Sequence, residues 1–216
     1  MAKKTLGEVI VGEHFTLDGV EFVKLDERCM GWVEKEGGED MILTGNEIKI
    51  QREAGTIYIE DFDEARLGPN SYNLRLAPEL LIYPSPILDA RENNPTASLA
   101  IPPEGIVLQP GRLYLAKTLE YTETHNFIPM LEGRSSVGRL GISIHVTAGF
   151  GDIGYAGNWT MEIHCVQPVR VYPGMEICQI YYCSPVGAIT KEYHGKYQGA
   201  TDAVGSRLWQ EIGGNQ

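Results

Sequence analysis

From Ile57 onward the chain alternates apolar and polar residues in short runs that stop repeatedly at proline or glycine. Period-two runs of this length are half-buried β-strands. They cover Tyr72–Leu76, Leu80–Tyr83, Gly105–Leu108, Leu113–Thr118, Ile142–Val146, Trp159–Val166 and Glu176–Tyr182. Breaks fall at Gly68-Pro69, Pro102-Pro103, Pro110-Gly111 and Pro173-Gly174. With no helical periodicity between the strands, the pattern predicts a mainly β protein, a distorted β-barrel or jelly-roll-like sandwich with few short helices.

The two ends read differently. Residues 1–40 hold short alternating runs, Glu8–Val11 and Val20–Lys24, and end in the polar stretch Glu34–Asp40. This predicts a small β extension and a linker, for which the sequence suggests no role. Met41–Ile48 is a second beginning, with Thr44 or Asn46 placed to cap a short helix. Lys191–Gln216 is polar, glycine-rich and aperiodic, a tail or lid after a barrel spanning 41–190.

Composition narrows the function classes. The chain has 216 residues, 43% of them hydrophobic, enough for a sizeable core, and a net charge of −11. That charge argues against a general nucleic-acid binder, which needs a basic face. It leaves room for a nucleotide site, where a few arginines and a metal ion hold phosphate on an acidic protein. Of the four cysteines, Cys29, Cys165, Cys178 and Cys183, three sit in runs that read as buried strands, where free cysteine behaves as a small hydrophobe. No secretory leader and no membrane-spanning apolar run is evident, so a reduced, cytoplasmic protein without disulfides or membrane contact is expected.

Three stretches carry candidate chemistry. Leu131–Gly141 sets Arg134, Ser135, Ser136 and Arg139 among glycines just before a strand. Forked arginine donors, hydroxyls and an open backbone suit phosphate, although a plain turn with solvated arginines has the same composition. In Trp159–Cys165, period two puts Trp159, Met161, Ile163 and Cys165 on a core face, and Thr160, Glu162 and His164 on the other. A mid-strand carboxylate among apolar neighbours is either solvated or in use. His145 and His164 are rival bases, though strand histidines more often serve as packing or rim groups. The turn Thr147–Gly157 carries Asp152, Phe150 and Tyr155, either as a hairpin with an Asx-turn or as a cleft for a hydroxyl, a water and a sugar.

Together these motifs resemble the deoxycytidine triphosphate (dCTP) deaminase family of the dUTPase-like trimeric superfamily. The resemblance covers about residues 41–212. It rests on Gly68–Leu76, Glu132–Gly141, His145–Asp152, Trp159–Glu162, Pro173–Ile180 and a degraded tail motif at Gly195–Gly199. It implies a dUTPase-type distorted β-barrel and a homotrimer with shared active sites. It also implies zinc-independent hydrolytic deamination of a small-molecule deoxynucleotide, dCTP, with Mg²⁺ on the triphosphate. Glu162 would be the general base activating water at C4 of cytosine, with Ser135 and the Ala148 backbone orienting that water and Arg139 beside base and phosphates. Arg134, Ser135 and Ser136 would face the phosphates. Val137, Gly138, Thr160 and Met161 fall in the same substrate-binding stretches. Asp152 would meet the 3′-hydroxyl, Tyr155 would exclude a 2′-hydroxyl, Gln179 would line the pocket, and Tyr193 and Lys196 would come from the closing tail.

The residues agree on the metal. The zinc-deaminase pattern, His-x-Glu with Pro-Cys-x-x-Cys, is absent, and Cys178 and Cys183 lack a partner pair. Such a deaminase would use a buried carboxylate of raised pKa. Gly149-Phe150 resembles the bifunctional members, which go on to dUMP and pyrophosphate; a glycine there would leave room for water near the α-phosphate. One departure is Ala200, where the family tail carries glutamine. Whether Gln198 replaces that glutamine is left open, as is the phosphorylation state of the substrate. Three other readings stand beside the bifunctional one: a deaminase stopping at dUTP, a dUTPase in which Glu162 is merely structural, and a non-catalytic nucleotide-binding relative.

Overall fold

The computed structural model describes residues 42–145 and 148–213 in full and the backbone of 14–17, 20–24 and 30–32. The chain divides into two compact units, 1–40 and 41–216. In the first, β1 (His14–Leu17), β2 (Val20–Lys24) and β3 (Met30–Trp32) pair antiparallel in that order. The expected run at Val20–Lys24 is therefore a strand, while those at 8–11 and 34–40 lie outside the described residues.

The second unit opens with α1 (Gly45–Glu53), capped by Thr44, whose hydroxyl accepts the Glu47 N–H at 3.2 Å. Then come β4 (Ile57–Ile59), a 3₁₀ turn at Glu64–Arg66, β5 (Tyr72–Ile82), β6 (Ala97–Ala100) and β7 (Ile106–Leu108). They are followed by β8 (Tyr114–Thr124), β9 (Ile128–Gly133), α2 (Ser135–Gly138), β10 (Ile142–Ile144) and β11 (Ala156–Cys165). Last are β12 (Val169–Val171), β13 (Glu176–Cys183) and α3 (Trp209–Ile212).

Eight of these strands make one antiparallel sheet in the order β10-β11-β8-β5-β13-β9, with β4 on β8 and β6 on β5; β12 and β7 pair separately. The outer edges, β10 and β9, are brought together by the turn that follows β10. There the Leu131 N–H reaches the Gly149 carbonyl at 2.8 Å and the Gly151 N–H reaches Pro129 at 3.0 Å. The sheet thus closes almost completely into a barrel around Leu74, Leu76, Leu80, Leu131, Met161, Ile163 and Ile180, all fully buried. Among the described residues no helix is long and apolar enough to cross a membrane.

The barrel differs from the sequence pattern where polarity inverts. The two runs expected at 72–76 and 80–83 are one strand, β5, with a register shift between Leu76 and Leu80. β8 does not stop at Thr118, because its inward face turns polar: Thr118, Glu120, Thr122 and Thr124 are buried. Trp159 meets this face, its backbone N–H donating to the Thr118 hydroxyl at 3.0 Å and its indole to Thr122 at 2.8 Å. Glu120 is satisfied by two arginines. Its Oε1 accepts from Arg66 at 2.7 Å and from the Arg75 Nε at 2.6 Å, and its Oε2 accepts the Arg75 backbone N–H at 2.8 Å.

Candidate functional site

Strand β11 supplies the centre of the site. Trp159, Met161, Ile163 and Cys165 are buried, and Thr160, Glu162 and His164 face the other way, as period two requires. Thr160 and Glu162 open onto a cavity of about 450 Å³. Ala148, Phe150, Asp152 and Tyr155 line it from the turn before β11, Tyr83 and Leu115 from the barrel, and Tyr193, Tyr197 and Ala200 from the tail.

Glu162 is not the buried carboxylate the sequence suggests; its side chain is 38% exposed toward the cavity. The ring behind it is buried instead. His145, just past β10, is 3% exposed and pairs through Nδ1 with a Glu162 carboxylate oxygen. The sequence offers these two residues as rivals, and the structure joins them.

Asp152 is exposed, and its carboxylate has no hydrogen-bond partner among the described residues. The Asx-turn is therefore not formed; the turn closes instead through the Asp152 carbonyl, which accepts the Tyr155 N–H at 3.2 Å. Tyr155 donates its hydroxyl to the Asn158 carbonyl at 2.7 Å, and its ring packs 4.7 Å from Trp159 and 5.9 Å from Tyr193. Burial pushes this phenol well above its ordinary pKa, so it stays a neutral donor.

The tail lies over the same cavity. The Tyr193 N–H donates to Ile153 at 2.8 Å, the Gly199 N–H to Ala156 at 2.8 Å, and the Ala200 carbonyl accepts from Asn158 at 2.7 Å. Val204 donates to the Thr160 hydroxyl at 3.1 Å, and Lys117 holds Asp202 at 2.9 Å. Gln198 is tied to the backbone at Gly154 and Ala156, so in this arrangement it does not take the place of the glutamine missing at Ala200. Lys196 pairs with Glu211 and does not line the cavity.

One further clamp carries a pH dependence. His125 contacts Glu123 at 2.8 Å and Glu192, next to Tyr193, at 2.9 Å. Hydrogen bonds to Glu123 and then Glu192 raise the imidazolium pKa above its ordinary value. A raised folded-state pKa gives stabilisation that is complete below the unfolded value and is lost as pH rises through the folded one. Chymotryptic cleavage at Tyr193 and Tyr197 is therefore expected to accelerate as pH rises through the raised His125 pKa, and to lose that pH dependence in His125→Gln. Because the ring is half exposed, the effect is modest.

The rest of the expected site is elsewhere on the barrel. Arg134 binds the Glu176 carboxylate at 3.0 Å, and Gln179 accepts from Ser71 at 3.1 Å and donates to Gly133 at 3.4 Å. Ser135, Ser136, Gly138 and Arg139 are exposed on or beside α2. None of these lines the cavity. Two expected substrate contacts belong to the core: the Val137 side chain is 4% exposed and that of Met161 is fully buried. Gly149 lets the turn approach β9 closely, since a Cβ there would lie 2.3 Å from the Leu131 carbonyl oxygen. Trp159, Tyr83 and Tyr197 line the cavity without having been singled out. Tyr83 accepts the Ser206 N–H at 2.8 Å, a long-range contact with no local signal, and Tyr197 accepts the Arg207 N–H at 3.0 Å within the tail.

A nearly closed antiparallel barrel, with two carboxylates opening onto one cavity beneath a C-terminal tail, defines the class of site. The chain belongs to the dCTP deaminase-like family, whose sequence model matches residues 42–184. It is 54% identical over 172 residues to a protein of Hathewaya histolytica named "dCTP deaminase, dUMP-forming", covering 80% of this chain and 99% of that one. A protein of Cytophaga hutchinsonii with the same name is 57% identical over the same shares. The fold is similar to the crystal structure of 2′-deoxycytidine 5′-triphosphate deaminase from Agrobacterium tumefaciens, with a TM-score of 0.54 and 21% identity. That match covers 68% of this chain and about half, 49%, of the other.

Proposed function

We propose that this protein deaminates dCTP and cleaves the resulting triphosphate to dUMP and pyrophosphate. The observation that carries the reading is that Glu162 and Asp152 open onto one cavity, in a chain more than half identical to relatives named for that reaction. Glu162 takes a proton from water as the oxygen attacks C4 of cytosine and returns it to N3; the remaining hydroxyl proton passes to the amino group as the C4–N bond breaks and ammonia leaves. Asp152, unengaged at the rim, binds the sugar 3′-hydroxyl and orients a second water at the α-phosphorus, where the P–O bond to pyrophosphate breaks. Tyr155, held neutral against Trp159, packs on the deoxyribose. Gly149-Phe150 favours the two-step reaction by family resemblance, with Phe150 in the cavity wall.

The phosphates need cations that this cavity lacks. Arg134 and Arg139, with Ser135, Ser136 and the Val137–Gly138 backbone, are presented by a neighbouring subunit of a homotrimer, and Gln179 supports that half-site through Gly133. Mg²⁺ is taken to arrive on the triphosphate as part of the substrate, bridging its oxygens.

Incubation of the purified protein with dCTP and Mg²⁺, read by product chromatography, tests the reaction. The expected products are ammonia, dUMP and pyrophosphate. Accumulation of dUTP would remove the second step, and unchanged dCTP would remove the first. The shared site is tested by mixing two inactive variants, Arg139→Ala and Glu162→Gln, and letting subunits exchange. In a closed three-fold ring, equal mixing gives about a quarter of the sites both intact residues, and activity returns accordingly. No recovery in verified mixed trimers would place both residues in one subunit's site.

A further inference from the structure

We infer that His145 is a positioning residue for Glu162, holding one carboxylate oxygen so that the other faces the water to be activated. The inference rests on Glu162 being the base proposed above, and it starts from the sheet register. β10 and β11 pair Ser143 with His164 and Ile144 with Ile163, so the next step along puts His145 opposite Glu162. Side chains opposite each other across an antiparallel pair share a face. His145 thus approaches Glu162 from the strand beside it, and both residues border the same cavity.

Three observations separate this from ordinary packing. First, the His145 backbone sits at φ +48°, a left-handed conformation disfavoured for a residue with a Cβ. Such a backbone persists where its surroundings fix it, and here the bond to Glu162 is among the restraints. Second, burial is inverted within the pair: the ring is 3% exposed and the carboxylate 38%. The ring is the backing and the carboxylate the working face. Third, Nε2 is buried and has no partner among the described residues. Within the pair the imidazole Nδ1–H is the donor and the Glu162 carboxylate the acceptor. The other carboxylate oxygen, Oε1, has no hydrogen-bond partner among the described residues.

A donor on one oxygen fixes the plane of the carboxylate and leaves the lone pairs of the other oxygen facing the cavity. An orienting hydrogen bond behind a general base is a recurrent arrangement in active sites.

The test uses the full-length protein, dCTP and Mg²⁺. His145→Gly suits the left-handed backbone and leaves a ring-sized hole. Its kcat for deamination is expected to fall about 10–100-fold with KM changed less than about threefold, and added imidazole is expected to restore kcat saturably. His145→Asn, whose side-chain N–H reaches the place of Nδ1, is expected to retain more activity than the glycine variant. A wild-type kcat in His145→Gly overturns the proposal. So does a loss that neither imidazole nor asparagine recovers in protein with native circular dichroism and oligomeric state. If the glycine variant does not fold, the asparagine variant decides: a folded but inactive His145→Asn also overturns it. Glu162→Gln run in parallel isolates the underlying reading, since full activity there removes Glu162 as the base whatever the His145 variants do.

Discussion

Glu162→Gln is expected to lower deamination by roughly 10³-fold, within the range typical of a positioned general base, while nucleotide affinity changes less than about tenfold. The two effects separate because the substitution preserves shape. Glutamine keeps an oxygen able to accept from His145 Nδ1, and the side chain is partly exposed, so neither the pair nor the core is disturbed. What is lost is a group that takes a proton from water. No neighbour stands in for it. The free nitrogen of His145 is buried, and Asp152 sits on the turn ten residues earlier rather than on the strand. Single-turnover conversion of dCTP and equilibrium binding of a non-hydrolysable analogue give the two numbers. Turnover close to wild type would remove Glu162 from the chemistry and require another group to activate the water at C4.

How much of this was legible in the sequence depends on the range of the interaction. The faces of β11 follow from period two, and the Thr44 cap follows from its residue type; both are local, and both appear in the structure. In the second unit β4, β6, β7, β10 and β12 have three or four residues, short for alternation to stand out, and of these β7 and β10 lay within expected runs. β9 carries a proline and ends at Gly133, which reads as loop until its pairing with β13 is seen. The site shows the same division. Glu162 and Asp152 could be singled out as acids in unusual settings. The His145–Glu162 pair could not, because it needs the register of β10 on β11. Nor could the fate of Gly149, whose function here is set by a carbonyl on a strand joined to it only through the closing of the barrel.

Loss of Glu120 shows how strongly the barrel depends on a residue the pattern disguised. Glu120→Ala is expected to destabilise the protein by about 3–5 kcal/mol, the usual cost of removing one partner from a buried charge cluster. The Glu120 side chain is 0% exposed, and that of Arg66 is 9% exposed. With the carboxylate gone, Arg66 keeps its charge, its Nε already lacks a partner, and its remaining bond is to the Asp61 carbonyl. Arg75, at 28% exposed, can turn toward Asp61 and water, so most of the penalty falls on Arg66. The break also reaches the backbone, since Glu120 Oε2 accepts the Arg75 N–H on β5, near the register shift between β5 and β8. A double variant, Glu120→Leu with Arg66→Met, replaces the buried pair by apolar side chains of similar size and is expected to recover a large part of the loss. Denaturant unfolding at a fixed protein concentration, comparing midpoints at unchanged slope, measures both. A cost below about 1 kcal/mol for Glu120→Ala would mean that the two arginines find water or other acceptors when the carboxylate is gone, and that the cluster is not a buried ion pair in solution.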